Sequence, residues 1–108
     1  MSVLMNFAMF PTDKGASVSP YVARVVEGVR SLNHASQLTA MGTIVETSSL
    51  EEALQVVEKA YQLLEPDCDR VYVTVSLDIR KGGSGRISLK VKSVEDKLRI
   101  AARGAERW

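Results

Sequence analysis

The sequence predicts an α+β sandwich, an antiparallel sheet with two helices laid across one of its faces. Three observations predict it. A stretch that is apolar on both faces opens the chain, two helical stripes follow with a short hairpin between them, and a strictly alternating strand comes after the second stripe. The order is β-α-β-β-α-β, the split βαββαβ or ferredoxin-like pattern. The remaining residues add one more strand and a terminal helix, all within a single domain spanning residues 1–108.

Residues 2–10 place Val3, Met5, Phe7 and Met9 on one face and Leu4, Ala8 and Phe10 on the other, with only Asn6 interrupting. A strand apolar on both sides belongs in the middle of a sheet. Ser19-Pro20 opens the first helix, Ser19 as N-cap and Pro20 at the first helical position. Val22, Val25, Val26, Val29 and Leu32 then recur at helical spacing until Asn33-His34. Residues 36–40 and 43–47 form a hairpin around Met41-Gly42, where Gly42 supplies the positive φ of a tight turn.

Ser48 and Ser49 precede Glu51 and Glu52 as two overlapping capping boxes. Leu50, Ala53, Leu54, Val57, Tyr61 and Leu64 make the stripe of the second helix, which Pro66 stops. Over residues 70–81, Val71, Val73, Val75, Leu77 and Ile79 alternate with Tyr72, Thr74, Ser76, Asp78 and Arg80. Gly82-Gly83-Ser84-Gly85 reads as a hairpin loop, and Ile87, Leu89 and Val91 as the inward side of a returning strand. Residues 94–103 close the chain as a short, charged helix.

Composition narrows the function classes. The chain is 45% hydrophobic and 25% charged, an ordinary globular balance, and its net charge of +1 lacks the basic excess of a nucleic-acid binder. RNA-binding domains that share this element order stack bases on aromatics of the open sheet face. Here the fourth strand offers only Tyr72, the first only Phe7 and Phe10, and the basic-Gly-aromatic signature is missing. No apolar run approaches the ~18 residues of a membrane helix, and the apolar start has no basic flank or cleavage site. With a lone Cys68 and no internal disulfide possible, the expected location is cytoplasmic.

Catalytic and metal chemistry find little to work with. One His and one Cys make no ligand cluster, and Asp67 and Asp69 beside Cys68 raise its thiol pKa rather than activate it. His34 suits a helix end, and the basic residues around Gly82–Gly85 suit a solvated turn. No nucleophile elbow, phosphate loop or dinucleotide fingerprint occurs. The chain is expected not to be an enzyme and to need no cofactor or metal. Polar side chains do gather around the hairpin. Thr39, Thr43, Glu46, Ser17 and Ser19 supply donors and acceptors, and Asp78 and Arg80 share one strand face with Thr74 and Ser76. Such a set suits a polar, nitrogen-rich small molecule.

Five short stretches carry a likeness: Ser17-x-Ser19-x-Tyr21-Val22-Ala23, Leu38-Thr39-x-Met41-Gly42-Thr43-x-x-Glu46, Arg70-Val71, Asp78-x-Arg80 and Lys92-Ser93-Val94. Together they resemble the small thiamine-binding protein family. The resemblance implies a ferredoxin-like subunit that pairs its sheets into dimers or tetramers and binds thiamine or its hydroxymethylpyrimidine moiety, without known catalysis. Ala40 stands where many members carry a Pro, a change in strand rigidity rather than in ligand chemistry. For that ligand, Glu46 or Asp78 would hold the charge or the exocyclic amine. Ser19, Thr39 and Thr43 would bond ring nitrogens, and Met41 or Phe7 would pack on the ring, with Gly42 and Arg80 completing the site. The rival class is an oligomeric interaction protein with no dedicated small-molecule ligand.

Overall fold

The structure is a computed structural model and describes residues 1–106. Its elements are β1 (Ser2–Pro11), α1 (Ser19–Arg30), β2 (Ala35–Thr39), β3 (Gly42–Thr47), α2 (Leu50–Leu64), β4 (Val71–Arg80) and α3 (Arg86–Glu106). The four strands form one sheet in the order β2-β3-β1-β4, every neighbouring pair antiparallel. The doubly apolar β1 is central, hydrogen-bonded to β3 on one side and β4 on the other.

Period-two alternation in β1 divides the molecule into two sides. Val3, Met5, Phe7 and Met9 point with Val45 into the core, where they meet Val25 and Val29 of α1 and Ala53, Val56, Ala60 and Leu64 of α2. Burying each of the larger apolar side chains contributes about 1.5–3 kcal/mol, so this interface carries most of the fold. The even-numbered residues Leu4, Asn6, Ala8 and Phe10 face the opposite side, which neither α1 nor α2 covers.

Local chemistry sets the element ends. Ser49 caps α2 by accepting from the Glu52 backbone N–H at 3.1 Å, while Glu52 reaches back to the Ser48 hydroxyl at 3.0 Å. The N-cap half of the Ser49–Glu52 box thus forms, while the Glu52 carboxylate accepts from Ser48 in place of the Ser49 N–H. The N-cap of α1 is Val18, not Ser19; no side chain caps this end, and Ser19 is already the first helical residue, ahead of Pro20. Asn33, at φ 60°, then turns the chain into β2, a conformation Asn tolerates better than most residues.

Two further expectations are corrected. The hairpin turn is Ala40-Met41, with Thr39 and Gly42 paired across it and no positive φ at either turn residue. The returning strand at 86–92 does not exist: these residues are the first third of α3. Ile87, Leu89 and Val91 do alternate, but Ile87, Val91, Val94 and Leu98 also recur at helical spacing, and the intervening Lys, Leu and Glu residues are strong helix formers. Gly83 and Gly85, at φ 88° and 66°, turn the chain away from the edge of β4 rather than back along it. Among the described residues the sheet therefore has four strands, and there are three helices.

Candidate functional site

The β2–β3 hairpin leans on β1, and glycine is what permits the contact. A Cβ at Gly42 would stand 2.8 Å from the Phe7 carbonyl oxygen and 2.8 Å from Asn6 Oδ1. Thr39 tightens the turn, its Oγ1 donating to the Gly42 carbonyl at 2.9 Å and accepting from the Met41 N–H at 3.2 Å. One register step on, Thr43 is buried opposite Phe7 and Leu38.

Between this hairpin, the end of β1 and the inner flank of α1 lies a cavity of about 300 Å³. Val22, Val25 and Val26 wall it from the helix side, and Thr39, Met41, Gly42 and Thr43 from the hairpin side. A second cleft of about 480 Å³ runs along the outer flank of α1 past Ser19, Glu27 and Arg30. The two share Val22, Val26 and Leu38, so they adjoin across these residues as an inner and an outer lobe. Each is of a size that small-molecule sites use, about 300–1,000 Å³. Met41, 83% exposed at the hairpin tip, is an adaptable apolar side chain at the rim.

A second polar constellation occupies the other face of the sheet. Glu46, Leu4 and Asp78 sit side by side in register on β3, β1 and β4. Glu46 is buried and accepts from the Ser2 hydroxyl at 2.7 Å and from the Ile87 backbone N–H at 3.3 Å. Arg86, also buried, donates to Ser2 Oγ at 3.0 Å, to the Ser2 carbonyl at 2.9 Å and to Asp78 Oδ2 at 2.9 Å. Lys90 adds a 2.6 Å contact to the same Asp78 oxygen. This cluster ties the first turn of α3 to the sheet, with the Glu46 carboxylate at the helix N-terminus where the dipole favours negative charge.

The titration shifts follow from these contacts. Burial pushes Glu46 up, but the Ser2 hydroxyl and the N–H groups of Ile87, Arg86 and Gly85 together outweigh it, holding the carboxyl below its ordinary value. Asp78 is held low by Lys90 and, less strongly, by Arg86. Cys68 goes the other way. Burial raises its thiol, the negative charges of Asp67 and Asp13 raise it further, and its Sγ lies 3.7 Å from Asp67 Oδ1.

The residues singled out in the sequence thus separate into two groups. Thr39, Met41, Gly42 and Thr43 line the inner lobe of the groove, and Ser19 the outer lobe. Ser17 lies in the loop before α1 and lines neither. Glu46, Asp78 and Arg80 are on the opposite face of the sheet, Arg80 paired with Ser2 in register. Glu27 and Arg30 were not singled out, yet they are the charged residues lining the groove. Their signal was spacing, since Ser19, Ala23, Glu27 and Arg30 recur every three or four residues on one flank of α1. Among the described residues, no group of three or more His, Cys, Asp or Glu side chains is placed to hold a metal ion.

The sequence profile of the thiamine-binding protein family matches residues 5–95. The chain belongs to this family. A UPF0045 protein of Methanothermobacter thermautotrophicus is 36% identical over 83 residues, covering 76% of this chain and 84% of that protein. Among solved structures, a hypothetical protein of Methanocaldococcus jannaschii superposes with a TM-score of 0.75 at 33% identity, covering 87% of this chain and 96% of that one. A Thermotoga maritima protein assigned provisionally to thiamine biosynthesis or salvage superposes with a TM-score of 0.72 at 17% identity, covering 85% and 99%. At that identity the likeness is one of fold. Thiamine-binding family membership covers the hairpin, α1 and both lobes of the groove.

Proposed function

We propose that this protein binds thiamine or its hydroxymethylpyrimidine moiety in the groove between α1 and the β2–β3 hairpin, as a carrier or sensor rather than a catalyst. The observation that carries the reading is the inner lobe itself. It is a cavity of about 300 Å³ with apolar walls and two threonine side chains, Thr39 and Thr43, in a family described as thiamine-binding. An aminopyrimidine needs that combination, an apolar slot for the ring and a few hydroxyls at its edge. Isothermal titration of the purified protein with thiamine and hydroxymethylpyrimidine tests it. Saturable binding near one per subunit is expected, and heat from neither ligand would sink the proposal.

The same reading takes the subunit to be ferredoxin-like, cytoplasmic and a dimer or tetramer. Its strand order and antiparallel pairing support the first. Exposed apolar surface supports the last. Val73, Val75, Leu77 and Ile79 of the edge strand β4 are 37–49% exposed, although their register partners Met9, Phe7, Met5 and Val3 are buried. On α3, Leu89, Val91, Val94, Leu98 and Ile100 are each more than half exposed. A ten-residue edge strand and a 21-residue helix left this bare are stabilised by a partner surface. Those same surfaces favour the second reading, an interaction protein whose groove is incidental. The titration separates the two.

A further inference from the structure

The two lobes of the groove differ in charge. No ionisable side chain lines the inner lobe, whereas Glu27 and Arg30 line the outer one. Among the described residues, neither Glu27 nor Arg30 has an opposite charge within salt-bridge distance. The carboxylates of Glu46 and Asp78 are on the other face of the sheet, engaged by Ser2, Arg86 and Lys90. Any charge on a molecule in the groove therefore meets Glu27 and Arg30 first.

We propose that the outer lobe is a charge-reading subsite for a ligand of two parts. An uncharged heteroaromatic ring fills the inner lobe, a cationic portion lies beside Glu27, and Arg30 is placed for an anionic tail such as a phosphate. The inference rests on the small-molecule reading above. Three physical arguments support it. Val22, Val26 and Leu38 line both lobes, so a ligand whose ring fills the inner lobe can run past them to the exposed Glu27 and Arg30. Glu27 lies in the last turn of α1, where the helix dipole also favours a cation. Arg30, three residues on in the same turn, offers the planar donor fork that matches phosphate oxygens. Because the cleft is open along its length, the charged end of the ligand stays partly hydrated and avoids the cost of full burial.

The test compares ligands that differ in charge, titrated calorimetrically into the full chain at low ionic strength: hydroxymethylpyrimidine, thiamine and thiamine monophosphate. Glu27→Gln is expected to weaken thiamine about two- to fivefold and leave hydroxymethylpyrimidine unchanged. Arg30→Gln is expected to weaken the monophosphate relative to thiamine by a similar factor, with both effects shrinking as salt is added. Equal losses for the charged and uncharged ligands, or an unmoved ratio, would overturn the subsite while leaving the inner-lobe reading in place. Native protein that binds none of the three would overturn both. Thermal melting of each variant checks that an affinity change is not a folding defect.

Discussion

At the scale of single residues, three positions make separable predictions. Thr43 faces the inner lobe from a buried position, so Thr43→Val keeps the volume and removes the hydroxyl. We expect it to weaken pyrimidine binding about threefold to tenfold, the value of one neutral hydrogen bond, with the melting temperature little changed. Gly42→Ala is a stability experiment. The added methyl would collide with backbone at Phe7, which cannot move aside as a flexible side chain can. Urea denaturation should show a loss of about 1–3 kcal/mol, the usual range for overpacking. Glu46 predicts a pH dependence. Its carboxyl titrates below the ordinary value in the folded chain, so the unfolded state binds the proton more readily. The resulting stability is fully present above about pH 4.3 and is lost as the pH falls through the lower folded value. Glu46→Gln should flatten that acid limb in a series of melts, and an unchanged limb would assign it to other carboxylates.

At the scale of elements, the decisive contacts are those that hold α3. Arg86 bonds to Ser2 and Asp78 from a buried position, joining the helix to β1 and β4, and the Ile87 N–H joins it to Glu46 of β3. Arg86→Ala leaves the Ser2 carbonyl and Asp78 short of a partner, and a loss of about 1–3 kcal/mol is expected, with α3 amides losing protection in hydrogen exchange before those of β1. Here the sequence was legible where one period dominated. The alternation of β4, the stripes of α1 and α2 and the doubly apolar β1 all led to the correct elements. It failed at 86–92 because Ile87, Leu89 and Val91 satisfy the strand period while Ile87, Val91 and Val94 satisfy the helical one. Arg86, which anchors the helix, bonds to Ser2, 84 positions away. The site was half legible for the same reason. Thr39 to Thr43 are close in sequence and stay together, but Glu46, three residues past Thr43 on β3, takes the opposite face, and only the register across β1 sets it beside Asp78.

At the scale of the whole molecule, the single chain is longer than its size requires. Its radius of gyration is 17.1 Å, against about 13 Å for a compact chain of this length, and its extents are 59 × 33 × 20 Å. Exposed apolar residues on β4 and α3 account for the argument that copies associate. A charge in the middle of the edge strand, Val75→Lys, should therefore lower the mass measured by light scattering towards that of one subunit. An unchanged mass would move the interface to α3. The position of β1 has a consequence for synthesis. The central strand is made well before its partner β4, which lies about 70 residues downstream, Phe7 pairing with Val75 and Leu4 with Asp78. At ribosomal speeds of about 5–20 residues per second, that interval is roughly 4–14 s. For those seconds the nascent chain carries a strand that is apolar on both faces and has no second neighbour. A mutation that slows pairing with β4 would thus cost yield in the cell before it altered the finished protein, and β1 is where a holding chaperone would act.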